Sequence, residues 1–368
     1  MVNTGNGKPS LLLCPSNPLK ACEKLNDLVG QPTSNGASWA PDNSRIYAGQ
    51  CQYLFGSADG QIASGQLSGM VGTPALGDWV QRHFVDKGYN TNYDASWFLV
   101  RSGVRISTQT VSKTATTNTM PLYSGSISNF GTSSGFPSVS DGQKGLGWTL
   151  GPLTRRYLES AWVNESVIPL LADASLSDPA DAILPIDVAK SPTIGTYVDP
   201  ASPTGAPANQ GDTTSVTTAQ AGQNTAESFQ DGPATQPGAG VKLQLLSTSN
   251  CTDLTGEAKC EQLGTCGTPY SGSDVNGYSY YLQDTRDFGC VHGAGKNLSC
   301  NMLMADGSVT EFNDTNGDHF LNPGFSGDAA NPAVTGYSDT TIDLPAAQCF
   351  SGVFLSSSVN AKPLSFKN

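Results

Sequence analysis

The sequence predicts an α+β fold built mainly from antiparallel β-sheet, with a few short helices and long loops. Three observations predict it. Charged residues are only 14% of the 368, well under the ordinary share of about a quarter. Ser, Thr and Asn fill the gap, and 41 Gly with 23 Pro mark a turn-rich chain. Apolar residues recur at helical spacing only over short stretches, whereas alternation at strand spacing is strongest in the last third, around Asp306-Gly307.

Taken in order, Ala37–Tyr53 contains strand-like pieces such as Ser44-Arg-Ile-Tyr-Ala, with Gln50-Cys-Gln-Tyr-Leu-Phe running on from it. A helix is expected over Thr73–Lys87: Thr73 is an N-cap residue, Pro74 suits the first helical position and Gly88 ends it. Leu76, Val80, His83 and Phe84 share one face, so His83 reads as a packed or boundary histidine. Tyr93–Val100 reads as a strand, and a second helix is expected from Leu153 to Val163, entered through Gly151-Pro152. Val167–Ala172 follows as a short buried segment. Residues 186–240 hold few large apolar side chains and no period, so they form a low-complexity surface excursion. Strand signals return at Val241–Leu246, Tyr278–Leu282, Asn301–Met304, Val309–Phe312 and Phe350–Leu355. The expected organisation is one domain over 1–368 that contains the excursion, with a hairpin and a cation loop at 292–325.

The net charge is −12 and the sequence pI about 4.5. Such a surface repels phosphate, and without a Lys/Arg cluster to displace counterions nucleic-acid binding is not expected. Nine cysteines stand at 14, 22, 51, 251, 260, 266, 290, 300 and 349. The spacings Cys14…Cys22, Cys251…Cys260…Cys266 and Cys290…Cys300 suit short disulfide-closed loops in an exported protein, and the odd count leaves one thiol over. Zinc is not expected with three His and no Cys-x2-Cys unit. The longest apolar run near the start is Leu11-Leu12-Leu13, so neither a signal peptide nor a membrane span is expected in this chain.

The segment HGAGKNLSCNMLMADGSVTEFNDTNGDHFLNPGF, 292–325, concentrates the site candidates. Asp306-Gly307 between alternating strands predicts a two-residue type I′ hairpin. Asp314, Asn316 and Asp318 supply oxygen at positions one, three and five of an EF-hand-like calcium loop, the Phe320 carbonyl at seven and Asn322 at nine. The sixth position is His319 where glycine is expected, and the twelfth is Phe325 where a bidentate Glu would close the sphere. A cation here has to recruit a remote ligand or water, and an Asx-turn cluster without an ion is the competing reading. His292 lies close to Cys290 and Cys300 as a general base would to a nucleophile, but no Gly-x-Ser-x-Gly elbow occurs and the glycines around it mark a turn. A histidine bonded to backbone across the hairpin is the favoured role, and no enzyme activity is expected. Asp173, Asp178 and Asp181 read most simply as solvated loop acids, with cation contacts as the alternative. Asn164, Asn250, Asn297 and Asn313 head formal glycosylation sequons.

His292-Gly-Ala-Gly-Lys-Asn followed by Met304-Ala-Asp-Gly-Ser-Val resembles the C-terminal His-x9-Asp-Gly signature of the planctomycete-rich domain-of-unknown-function 1559 family, whose members are labelled as transporters similar to the major type II secretion pseudopilin. Leu13-Cys-Pro-Ser-Asn, Thr91-Asn-Tyr-Asp-Ala-Ser-Trp and Asp314-Thr-Asn-Gly-Asp-His-Phe-Leu-Asn-Pro-Gly-Phe are similar to further segments of that family. The interval from His292 to Asp306 holds thirteen residues, so Ser299-Cys-Asn-Met looks like an insertion in the signature. The prepilin leader and long apolar helix of the family are not in the sequence as given. The resemblance implies a type IV pilin or pseudopilin-like head, extracellular or at the cell surface, with calcium in its C-terminal region and no catalytic residues. A structural protein forming a homo-oligomer or polymer follows as the expected function. A secreted module binding glycans or solutes is the alternative, with Trp39, Trp97 or Trp148 as stacking candidates.

Overall fold

The computed structural model describes residues 13–29, 70, 72–103, 150–176, 183–199, 202, 204–235, 244–245, 282–327, 336–352 and 355. The expected strands within 37–55, the residues 178 and 181, and Cys51, Cys251, Cys260 and Cys266 lie outside that set, as do Trp39, Trp148 and Asn250. The described elements are short helices and mostly antiparallel strands, an α+β arrangement. The chain divides into two compact units, Met1–Tyr93 with Leu176–Ser228, and Asp94–Ser175 with Phe229–Asn368.

The first unit is organised by helix α2 (Pro74–His83). Thr73 precedes it in extended conformation, Pro74 opens it, and a 3-10 turn Val85–Lys87 ends on left-handed Gly88 with φ 87. The expected helix is thus broken at Phe84. Leu76, Trp79, Val80 and Phe84 are buried against Leu25 and Val29 of helix α1 (Lys24–Val29), Leu184, Val188 and Ala219. Strands β3 (Val188–Lys190) and β4 (Val216–Ala219), both inside the low-complexity stretch, pair antiparallel. Gly77 lets the helix lie directly on the chain before β3, because a Cβ there would overlap the carbonyl oxygen of Asp187.

Polar side chains hold the rest of this stretch. Asp78, fully buried, accepts from Arg82 Nε at 2.8 Å, Tyr197 OH at 3.1 Å and Ser191 N at 3.2 Å. The Arg82 guanidinium also meets Asp212 at 2.5 Å. His83 stacks on Trp79, centroids 5.0 Å apart, and its Nε2 lies 2.9 Å from Asp199 Oδ2, consistent with a boundary histidine. Val188 and Ala219 anchor this stretch in the core, and charge-assisted bonds to the helix hold the polar residues around them.

In the second unit, β9 (Asn297–Met304) is the central strand. Along one edge it pairs with β10 (Val309–Asn313), register Phe312↔Cys300 and Val309↔Leu303. Along the other edge it pairs first with β8 (His292–Ala294) and then with β2 (Pro169–Asp173). β1 (Tyr93–Ala95) lies beyond β2. The inward residues Cys300, Met302 and Met304 pack with Ala172, Phe288, Phe312, Leu321 and Leu344. A smaller sheet joins β5 (Pro233–Thr235) to β6 (Gln244–Leu245) and β7 (Leu282–Gln283).

Four sequence expectations change here. The strand over Tyr93–Val100 stops at Ala95, because Ser96 Oγ accepts Leu99 N at 3.2 Å and caps helix α3 (Trp97–Arg101). The second helix is reduced to α4 (Arg155–Glu159), capped by Thr154. Phe350–Gly352 is not strand. The Asp306-Gly307 hairpin has a three-residue loop: Gly307 N donates to Met304 O at 3.0 Å, Met304 N to Ser308 O at 2.8 Å, and of the turn residues Gly307 alone has positive φ, 87. That is a type I turn followed by a left-handed glycine, not a type I′ turn.

Candidate functional site

The loop after β10 runs from Asp314 to Asn322 and packs against Tyr337–Leu344. Asp314 is buried, with Oδ1 accepting Gly317 N at 2.7 Å and Oδ2 accepting His319 N at 2.9 Å. Both acceptances fold the backbone back over the first residue. Gly317 has φ 79 and His319 φ 74, so the fourth and sixth positions are both left-handed. Glycine is wanted at the sixth position of a calcium loop for this conformation, and the chain adopts it with histidine.

Asn316 Nδ2 lies 2.9 Å from Asp339 Oδ1, 3.1 Å from Asp318 Oδ2 and 3.2 Å from Ser338 Oγ. An amide nitrogen carries two hydrogens, so three oxygens converge on fewer donors. Asp318 Oδ1 accepts Phe320 N at 3.0 Å, and Oδ2 accepts Ser338 N at 2.8 Å. Across the loop, Asp343 Oδ1 accepts Thr315 N at 3.0 Å and Thr315 Oγ1 at 2.5 Å, and Oδ2 accepts Asn322 N at 3.1 Å. Burial pushes the Asp343 carboxyl above its ordinary value, and the negative charge of Asp314 adds to that. Bonds from Thr341, then from Asn316, hold Asp339 below its own.

The five residues expected to hold calcium do not play equal parts. Asp314, Asn316, Asp318 and the Phe320 backbone belong to one turn. The Asn322 side chain is fully used elsewhere: Oδ1 accepts Gly324 N at 2.8 Å and Phe325 N at 2.7 Å, while Nδ2 donates to Phe325 O at 2.9 Å and Asp339 O at 3.2 Å. That carboxamide keeps no lone pair for a cation. Asp339 and Asp343 were not among the sequence candidates, since no local spacing ties them to Asp314. The surrounding side chains offer hard oxygens, the chemistry calcium takes, and Asp339 adds one beside Asn316. No three carboxylates of the loop converge to metal-ligand reach among the described residues. A cation there would depend on Asn316, backbone oxygen and water for the rest of its shell.

His292 has a different partner from the one expected. β8 and β2 share one edge of β9 end to end, so His292, opening β8, meets Asp173, closing β2. His292 Nε2 lies 2.9 Å from Asp173 Oδ2, which also accepts Asn301 N at 3.3 Å. Asp173 is fully buried, not a solvated loop acid, and its main-chain oxygen accepts Gly289 N at 2.6 Å. The pair joins two strands that do not pair with each other.

Among the described cysteines, Cys22, Cys290, Cys300 and Cys349 are buried and unbridged, so the short loops Cys14…Cys22 and Cys290…Cys300 are not closed by disulfides in this structure. Burial pushes the Cys290 thiol up, helped by the charges of Asp314, Asp343 and Asp318. Cys300 is raised by burial too, and Cys349 is pushed up to about 12. Thiols held protonated this way are poor nucleophiles. Trp97 is buried and cannot stack on a sugar, whereas Asn164, Asn297 and Asn313 are exposed.

No protein-family model, no curated protein and no solved structure matches this chain. No helix among the described residues is long and apolar enough to cross a membrane.

Proposed function

We propose that this chain is a structural, self-associating extracellular surface protein of pilin or pseudopilin-like kind, with a C-terminal loop stabilised by calcium. The pilin-like part rests on the resemblance carried by His292, Asp306-Gly307 and the segment from Asp314 to Phe325. The α+β arrangement of short helices and antiparallel strands is compatible with such a head.

The observation that carries the calcium part is His319, held left-handed at the sixth loop position under the Asp314 carboxylate. In support, Asp314, Asn316 and Asp318 share that turn, and Asn316 bonds to Asp339 at 2.9 Å. Turning the Asn316 carboxamide would present Oδ1 to a cation at the loss of the bond that Oδ1 accepts from Asp318 N at 3.3 Å. Calcium would supply positive charge to a cluster in which burial and then the Asp314 charge raise Asp343, and burial and then the neighbouring acids raise the Cys290 thiol. Its binding free energy becomes folding free energy for a turn that Leu321 and Phe325 anchor in the core on one side only.

Calorimetric titration of the full chain with calcium, beside an Asp318→Ala variant, tests the site. The expected result is saturable binding that the variant loses. Equal heats from both proteins would contradict it.

A further inference from the structure

We draw no further inference here: the strongest candidate, the half-buried Asp173–His292 pair where the end of β2 meets the start of β8, with Asp173 Oδ1 lacking a hydrogen-bond partner among the described residues, offers too few ligand side chains within its unit to hold a metal and is accounted for as the tie between those two strands.

Discussion

Asp314 Oδ2 accepts the backbone N–H of His319 at 2.9 Å, and His319 sits at φ 74. A buried carboxylate thus holds a β-carbon-bearing residue where glycine is at ease. The strain is set against the loop closure that Asp314 provides.

Replacing His319 by glycine should relieve that strain. His319→Gly is expected to stabilise the chain by about 1 kcal/mol, read as a higher midpoint in urea with an unchanged slope. A lower midpoint would mean that the imidazole makes contacts worth more than the backbone cost.

Calcium and Asp339 should be linked. In Asp339→Ala the rise in melting temperature on adding calcium is expected to shrink, and the chelated variant should also melt somewhat below chelated wild type because Asn316 and Thr341 lose an acceptor. An undiminished calcium response would remove Asp339 from the site.

The hairpin should respond to acid through Asp306. Bonds from the Ser308 hydroxyl, then from the Ser308 backbone, hold its carboxyl below the ordinary aspartate value. A depressed folded pKa gives stability that is present above the unfolded value and lost as pH falls through the folded one. Asp306→Ala should therefore melt lower than wild type near neutral pH, with the gap closing as the pH falls below the ordinary aspartate value. A gap that stays constant into acid would show that the side chain acts without its charge.

Arg82 should be worth more than an ordinary surface charge, since its removal leaves Asp78 buried beside Tyr197 without its cation. Arg82→Ala is expected to cost about 3 kcal/mol, with faster amide exchange across residues 191–212. Lysine should restore little, because one ammonium cannot span Asp78 and Asp212 as the guanidinium does. Unchanged exchange in 191–212 would mean that other contacts hold that stretch.

Much of the last third was legible because its signals are local. Alternation from Cys300 to Met304 and the Asp-Gly pair reveal the hairpin, though loop length was misjudged by one residue: Ala305 belongs to the turn. The strand after Tyr93 was overrun because β-prone Trp97-Phe-Leu-Val outweighed Ser96, whose side chain starts a helix. The order around 188–219 was hidden, since besides the burial of Val188 and Ala219 it rests on Asp78, Arg82 and His83, residues more than a hundred positions away in sequence from Ser191, Tyr197, Asp199 and Asp212. In the loop, the Asp314, Asn316 and Asp318 spacing could be read, and so could the conflict at His319. Asp339 could not, because only the fold brings it to Asn316. Asp173 looked like a solvated acid until the shared edge of β9 placed it against His292.

Electron microscopy of the purified protein, with calcium and with a chelator, decides whether the chain is a calcium-stabilised polymer. Regular filaments, tubes or sheets are expected in calcium, fraying when the ion is withdrawn. Dispersed single particles under both conditions would contradict that.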